Sequence, residues 1–339
     1  MFYLKRVILG LVIALVILAL SGVFNRRDKS QPAPPPDNAQ KIEAENVPMT
    51  IKDLIQLAYD IFQPETNYEE TPVTDSYAKK FTVDREKLSN IDYLRDNFYI
   101  VDPHTGMSPD VFNVNEFMSV NLGVPKSKNG EPKILIFHTH SNEMFIDSND
   151  SSEGVLAVGD KLSQILTRDG YAALHNTESF DMINGESHIQ GAYERMEPVI
   201  MKILSDNPSI EMAIDIHRDG LPVGAVRQYT ILNGQPTAKI MFFNGTTMIL
   251  ENGELHYMEN LPNPYLKTNL ALSFNAQLAA INMYPDFTKK IYLKEYRYSL
   301  NMLPKTLFVE VGSQMNTKSE AVAAAAPLAK IIENVIGGE

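Results

Sequence analysis

The sequence predicts an α/β fold with a mostly parallel sheet and helices on both faces. Apolar runs of strand length alternate with amphipathic runs of helix length between residues 133 and 336. Strands that alternate with such helices pair in parallel through right-handed crossovers. Three of the apolar runs carry or lead into a chemically active side chain, namely His140, His217 and Glu310. Open sheets of this kind bind ligands at the carboxyl ends of their strands.

The first half of this region contains three strands and two helices. The predicted strands are 133–137, 171–175 and 212–216, and the predicted helices are 156–166 and 189–204. Apolar residues three and four positions apart predict the helices. Asp169-Gly170 and Asn207-Pro208 predict where the two helices end.

The second half begins with short β-prone runs between residues 229 and 258. They are separated by Asn233-Gly234, Asn244-Gly245 and Asn252-Gly253, and each pair predicts a tight turn. A helix at 264–281 and strands at 290–298 and 306–311 follow. Thr317 and Glu320 form the capping box of the last helix, in which Pro327 predicts a kink.

Residues 1–24 predict a transmembrane anchor. The apolar run Val7–Phe24 has 18 residues, which is in the lower part of the range that spans a bilayer. A cleavable signal peptide is the alternative, with Ala19-Leu20-Ser21 as its cleavage site. We favour the anchor because the run is long for a signal peptide and continues past that site.

Two segments separate the anchor from the α/β region. Residues 25–47 are polar and proline-rich, which predicts an extended linker. Residues 48–127 contain a helical pattern near 49–59 and a strand pattern at 97–102, and we expect a small α+β accessory region that docks on the enzyme or on partners. His104 follows in a turn and is interpreted as a surface histidine. Residues 128–339 then form the main domain.

Composition excludes one large class of partners. The chain has 30 basic and 42 acidic side chains, a net charge of −12, and no cysteine. Nucleic acid is not an expected partner, because binding it requires clustered cations. The absence of cysteine fits an exported protein and equally fits many cytosolic ones.

The polar groups at the strand ends predict a catalytic zinc site. Structural zinc sites use four protein ligands and often cysteines, whereas catalytic sites use three and leave one position for water. His140, Glu143 and His217 offer such a set, and Glu310 remains for proton transfer. The alternatives are that His138 and His140 are ordinary loop residues and that Glu310 pairs with a lysine or faces solvent.

Five segments together resemble a known family. They are HTHSNE, GVLAVGDKLSQILTRDGY, AIDIHRDG, NPYLKTNLALSFNAQL and LFVEVGSQMNTKSEA. In this order, and over about residues 90–336, the chain resembles the stage II sporulation protein P family, membrane-anchored cell-wall hydrolases of spore-forming Firmicutes. The catalytic domain of that family is similar to zinc-dependent N-acetylmuramoyl-L-alanine amidases.

The resemblance implies roles for individual residues. His140 and His217 match the two histidine ligands, and Glu310 matches the catalytic acid. The third ligand has two candidates: Glu143 within HTHSNE, which we prefer, and Glu153 near the start of the first helix. Zn²⁺ is the implied cofactor, with Glu310 as general base.

The resemblance also implies a substrate, a location and partners. The substrate is peptidoglycan, cut between N-acetylmuramic acid and L-alanine and in some cases at peptide cross-links. The main domain lies outside the cytoplasm, and a lytic transglycosylase and a membrane scaffold are the implied protein partners. A zinc peptidase acting on protein and a non-catalytic wall-binding scaffold are the competing hypotheses, although a scaffold has no need of Glu310.

Four more residues are expected near the site. Asp215 shares a strand face with the histidine two positions later and is predicted to orient its imidazole, with a plain acid at the core edge as the alternative. Arg218 and Asp219 either recognise peptide carboxylates or pair with each other. His138 is not expected to bind the same ion as His140, so we assign it to substrate contact or to support of the ligands.

Overall fold

The computed structural model describes residues 84–222 and 224–337. The predicted anchor, the linker and the first part of the accessory region lie outside the described residues. Within the described ranges, no helix combines the length and the apolar character needed to cross a bilayer.

Helices and strands alternate through these ranges as the sequence predicts. The helices are α1 Arg85–Leu88, α2 Ile91–Phe98, α3 Val114–Phe117, α4 Val155–Arg168, α5 Ala192–Asp206, α6 Leu266–Met283, α7 Lys318–Ala323 and α8 Ala325–Ile336. The strands are β1 Tyr99–Val101, β2 Ile134–Phe137, β3 Ala173–His175, β4 Met182–Ile183, β5 Glu186–Ser187, β6 Met212–Asp219, β7 Tyr229–Leu232, β8 Gln235–Ala238, β9 Ile240–Gly245, β10 Met248–Glu251, β11 Glu254–Tyr257, β12 Ile291–Lys294 and β13 Thr306–Ser313.

Seven strands of the described residues form one sheet in the order β1-β12-β9-β13-β6-β2-β3. Every neighbouring pair is parallel except β9 and β13, which are antiparallel. The sheet therefore consists of two parallel blocks that run in opposite directions. The prediction of a mostly parallel sheet is confirmed.

The two faces of the sheet have different coverings. On β6, Met212, Ile214 and Ile216 point into the main core, which also contains apolar residues of α4, α6 and α8. Each fully buried side chain of this size contributes roughly 1.5–3 kcal/mol to folding. Because side chains alternate along a strand, Asp215 and His217 point to the other side, which we call the open face.

Helix α5 covers the open face over only part of the sheet. Its Met196 and Ile200 pack on Leu135 of β2 and Ala213 of β6. Over β9 and β12, aromatic side chains on the same face line a cavity instead. Helices therefore lie on both faces, as predicted, and the uncovered part of the open face leaves room for a ligand.

The described part of the predicted accessory region packs with the main sheet. Strand β1 pairs with β12 at its edge. Phe98 and Phe117 belong to the same hydrophobic core as the central strands, and both rings contact Phe274 of α6. Residues 84–127 thus continue the core of the main domain across the expected boundary at residue 128.

Two of the three predicted Asn-Gly turns are present. Asn233-Gly234 joins β7 to β8 and Asn252-Gly253 joins β10 to β11, with positive φ at all four residues. The turn predicted at Asn244-Gly245 is wrong, because both residues lie in the buried strand β9. Asn244 accepts a hydrogen bond from Ser273 Oγ at 2.6 Å, and a side chain at Gly245 would collide with the backbone of the segment after β12.

The ends of several elements differ from the sequence prediction. Strand β12 ends at Lys294 rather than at 298, and β1 begins at Tyr99 because α2 continues to Phe98. The predicted capping box of Thr317 and Glu320 is confirmed. The last helix is interrupted at Ala324, three residues before Pro327, so that the proline lies in the first turn of α8, where its missing N–H is not needed.

Candidate metal centre

Strand register brings the predicted site residues together. Glu310 of β13 lies directly opposite His217 of β6, and both point to the open face. His140 and Glu143 come from the loop that follows β2, the neighbour of β6 on its other side. That loop is fixed by Asp215, whose carboxylate accepts hydrogen bonds from Thr139 N–H at 2.9 Å and Oγ1–H at 2.7 Å.

His140, Glu143 and His217 offer three ligand atoms that all lie within 4.8 Å of one another. His140 Nδ1 is 3.7 Å from Glu143 Oε1, and His217 Nδ1 is 3.3 Å from Glu143 Oε2. The backbone N–H of Arg218 donates to Glu143 Oε2 at 2.9 Å and so fixes this carboxylate between the two rings.

The chemistry of the three donors fits a metal ion. Two imidazoles and one carboxylate are a common ligand set of catalytic zinc sites. His140 Nε2 and Glu310 Oε2 are buried and have no hydrogen-bond partner. Buried polar atoms are rarely left without partners unless a ligand or functional role accounts for them. The arrangement is therefore compatible with a bound cation.

The ionisation of the cluster follows from its close packing. Burial alone would lower the pKa of His217, but the carboxylates of Asp215 and Glu143 outweigh burial and hold that pKa well above its usual value. Burial would raise the pKa of Glu143, and the charges of His217 and His140 instead lower it. Without an ion, His217 thus keeps a proton between two carboxylates, in a place where a cation can substitute for it.

Glu310 has the opposite electrostatic character. Burial raises the pKa of Glu310 to about 8, with the charge of His217 opposing and that of Glu143 reinforcing the shift. A carboxyl group that titrates near neutral pH is suited to general acid and base catalysis. A nearby cation would lower this pKa and favour the carboxylate form.

Asp215 lies behind His217, on the side away from Glu143. Its Oδ1 is 3.0 Å from His217 Nε2, and its side chain is fully buried. A carboxylate that contacts the second nitrogen of a ligand histidine orients the ring and raises its basicity as a ligand. The bonds from Thr139 help to satisfy the buried charge, which would otherwise be costly.

Aromatic rings form the wall of the site. His217 stacks on Phe308 with 4.3 Å between ring centroids and 4° between planes. Phe243 and Tyr298 continue this wall, and the rings of Tyr193 and His140 form a T-shaped pair with 5.5 Å between centroids. The strand spacing of Phe308 and Glu310 indicates a shared face, whereas no sequence signal identifies Tyr193, which comes from α5.

The cavity in front of the cluster has a volume of about 620 Å³. It extends from His140 and Glu310 across β9 and β12 to Ile100 on β1, and Tyr292 and Lys294 line its far part. The site therefore opens into a groove along the open face.

Arg218 and Asp219 both line this cavity but do not form a side-chain ion pair with each other. Arg218 Nε donates to Met144 O at 2.6 Å. The carboxylate of Asp219 instead binds Lys289 Nζ at 2.9 Å. Of the two expected uses, mutual pairing of the side chains is therefore wrong.

The substrate contact expected for His138 is wrong. His138 comes two residues after Ile136 and therefore points to the same side of the sheet, into the core beside α4. There it is fully buried and cannot contact a substrate. Its Nδ1 donates to Ile216 O at 2.9 Å, and its Nε2 is 2.8 Å from His175 Nε2. Its bond to the residue before His217 ties β2 to β6 beneath the site. Gly159 of α4 provides the space for the two rings.

Glu153, the alternative acid ligand, is engaged elsewhere. Its carboxylate accepts hydrogen bonds from the backbone and side-chain N–H groups of Asn149 at 2.8 and 2.7 Å. It also pairs with Lys318 Nζ at 3.2 Å. The structure groups Glu143, and not Glu153, with the two histidines.

Several solved structures of amidases are similar to this chain. The CwlD amidase from Clostridioides difficile, in complex with the GerS lipoprotein, is 13% identical, with 60% of this chain and 98% of that chain covered and a TM-score of 0.40. The amidase AmiC2 of Nostoc punctiforme is 13% identical, with coverage of 61% and 98% and a TM-score of 0.38.

A curated protein and a family also match. Stage II sporulation protein P of Bacillus subtilis (strain 168) is 30% identical over an alignment of 108 residues, which covers 28% of this chain and 27% of that relative. The match thus spans about a quarter of the relative's length. The family described as stage II sporulation protein P matches residues 37–333, most of the chain. The chain belongs to the stage II sporulation protein P family.

Proposed function

We propose that this chain is a sporulation cell-wall hydrolase, specifically a zinc-dependent amidase that cleaves peptidoglycan between N-acetylmuramic acid and L-alanine. One observation carries the proposal. The ligand cluster of His140, Glu143 and His217 lies beside the buried carboxyl group of Glu310, at the end of an open groove. The resemblance of these residues to the zinc amidases supports the choice of bond.

A zinc ion held by His140, Glu143 and His217 would polarise the scissile carbonyl and make water nucleophilic near neutral pH. Glu310 takes the proton of the attacking water and delivers it to the leaving amine. Burial raises the pKa of Glu310 and a bound cation would lower it, which favours the carboxylate form that accepts the proton.

The surrounding residues hold these groups in place. Asp215 contacts Nε2 of His217, so that Nδ1 remains for the ion on the side of Glu143. The backbone N–H of Arg218 fixes one oxygen of Glu143. Phe308 stacks on His217 and excludes water from one face of the ring.

The groove suits an extended, partly charged substrate. Its walls combine the aromatic rings of Tyr298 and Tyr292 with the cationic side chains of Arg218 and Lys294. Aromatic rings pack against the apolar parts of a sugar-linked peptide, and cations attract its carboxylates. The carboxylate recognition expected for Asp219 is not part of this proposal, because that side chain is paired with Lys289.

We also propose that the enzyme acts outside the cytoplasm, anchored through residues 7–24. This proposal rests on the length of the apolar run and on its continuation past Ser21. Sequencing of the amino terminus of membrane-extracted protein should find Met1 or Phe2. A terminus near Gly22 would instead show a cleaved signal peptide.

Mass spectrometry of purified sacculi digested by the zinc-loaded full chain tests the proposed activity. We expect peptide stems that begin with a free L-alanine amine, intact glycan strands, and no release in the presence of a chelator. Products cut only within cross-links would make the enzyme an endopeptidase. Cleavage of added proteins without release from sacculi would indicate a protein peptidase, and a zinc-loaded chain without any product would be a wall-binding scaffold.

A further inference from the structure

A second group of possible metal ligands lies outside the centre described above. It consists of Asp102, His104 and Glu295, whose ligand atoms are also within 4.8 Å of one another. We propose that these three residues bind a second divalent transition-metal ion. The proposal concerns binding alone and does not depend on the proposed hydrolase activity.

The topology of the sheet brings the three residues together. Strands β1 and β12 are parallel neighbours, with Val101 opposite Leu293. Asp102 directly follows β1 and Glu295 directly follows β12, so that both lie at the carboxyl ends of adjacent strands. Strands β1 and β12 run opposite to β6 and β13. The second cluster therefore lies at the strand ends of one parallel block, and the first cluster lies at the strand ends of the other.

Asp102 and His104 already form a close pair. Asp102 Oδ1 is 2.8 Å from His104 Nδ1 and accepts the backbone N–H of His104 at 3.0 Å. Tyr292 Oη–H donates to Asp102 Oδ2 at 3.0 Å. A carboxylate and an imidazole at this separation can bind one ion if the metal takes the place of the proton between them.

Glu295 supplies an independent indication of a ligand. Glu295 is only 9% exposed, and its Oε2 atom is buried without a hydrogen-bond partner. A carboxylate removed from water is unfavourable unless it is paired, hydrogen-bonded or bound to metal. The described residues provide no hydrogen bond to this oxygen, and a cation would satisfy it.

The donors indicate which metals fit. One imidazole with two carboxylates suits Zn²⁺ or Mn²⁺, whereas Ca²⁺ needs six to eight oxygen ligands. The Asp102 carboxylate accepts hydrogen bonds from His104 and Tyr292, and it also interacts electrostatically with Lys294. Lys294 also repels a cation, so we expect this site to bind zinc more weakly than the first.

A metal here would fasten the far end of the groove. Ile100, Tyr292 and Tyr298 line the cavity and lie close in sequence to the three ligands. Binding would link the edge strand β1 to the segment after β12, in which Tyr298 has a positive φ of 52°. Non-glycine residues hold such a conformation only where the surroundings fix it.

Zinc titration of the full chain, with bound metal counted by elemental analysis, tests the second site. The wild type should bind two equivalents, and the His140→Ala/His217→Ala variant should retain one. Glu295→Gln and His104→Ala should each lower the zinc affinity of the remaining site at least about tenfold. Loss of a residue that only supports a metal ligand already lowers metal affinity by about 10- to 100-fold. His104 is 75% exposed at its side chain, so its replacement should not disturb folding.

His256→Ala is the matched control, because His256 is an exposed histidine whose nearest acid, Glu254, is 4.0 Å away. It should leave both equivalents in place. A wild type that binds one equivalent overturns the proposal, as does a Glu295→Gln variant with unchanged second-site affinity. Equal losses of zinc affinity in His104→Ala and His256→Ala would show that the second equivalent binds adventitiously to surface histidines, which also overturns the proposal.

Discussion

His217 Nε2 lies 3.0 Å from Asp215 Oδ1, and both side chains are almost completely buried. The same carboxylate accepts two hydrogen bonds from Thr139, in the loop that carries His140. One acid thus orients a proposed ligand on β6 and fixes the loop that supplies the other two. Residues that support metal ligands in this way contribute strongly to metal affinity.

Asp215→Asn should therefore weaken zinc binding at the first site by about 10- to 100-fold. The amide keeps the shape of the side chain but removes the charge that favours His217 as a ligand. Competition with a chelating dye measures the affinity. Thr139→Ser is the control, since it keeps the hydroxyl donor to Asp215. An Asp215→Asn variant with wild-type zinc affinity would show that this contact plays no part in binding.

The two candidate acid ligands can be separated directly. Glu143→Gln should lose stoichiometric zinc, because Glu143 lies between the two imidazoles. Glu153→Gln should keep it, because the carboxylate of Glu153 binds Asn149 and Lys318. Elemental analysis of both purified variants decides the question, and the reverse pattern would assign the metal to Glu153.

Gly159→Ala should destabilise the protein even though alanine favours helices by about 1 kcal/mol over glycine. A Cβ at this position would lie 2.5 Å from His175 Nε2 and 2.6 Å from His138 Nε2. Overpacking of this kind costs about 1–3 kcal/mol, which outweighs the helical gain.

Chemical denaturation of Gly159→Ala measures this effect, with Gly220→Ala as the control. A Cβ at Gly220 would meet no atom within 4 Å, and Gly220 has no positive φ. We expect little change in the control. Equal free energies of unfolding for the two variants would show that the two imidazoles yield to the added methyl group.

The raised pKa of Glu310 predicts a pH-dependent stability of the metal-free protein. The carboxyl group titrates near 4.5 in the unfolded chain and at about 8 in the folded one. Between these values the folded state binds the extra proton, so its stability decreases as the pH rises and the loss is complete above the folded pKa. Glu310→Gln lacks this proton equilibrium.

Thermal unfolding in chelator at about pH 5 and about pH 8 compares the two proteins. The glutamine variant should gain stability relative to the wild type as the pH rises. Parallel changes in both proteins would mean that Glu310 titrates normally.

The sequence predicts the sheet and most of the first site because local pattern determines both. The alternation of side chains along a strand places His217 and Glu310 on one face of the sheet. Apolar residues at helical spacing predict α4, α5 and α6. The two-residue spacing of Ile136 and His138 also predicts that both point to the core side of the sheet. The burial of His138, however, depends on Gly159 of α4, a separate element of the chain.

Contacts between distant segments account for what the sequence does not predict. Tyr193 enters the site from α5, and Asn244-Gly245 forms a strand because other segments pack closely against it. The group of Asp102, His104 and Glu295 depends on the pairing of β1 with β12, whose strands are 190 residues apart in the chain. The short spacing of Asp102 and His104 is the one local signal for it.

In the proposed mechanism, Glu310 moves protons while His140, Glu143 and His217 hold the metal. Glu310→Gln keeps the volume and a polar group at the same position but removes the proton acceptor. Zinc content and turnover of sacculi, measured on the same preparation of this variant, separate metal binding from proton transfer most directly. The variant should retain wild-type zinc, with turnover reduced by about 10²- to 10⁴-fold. Near-normal turnover, or loss of zinc together with activity, would contradict it.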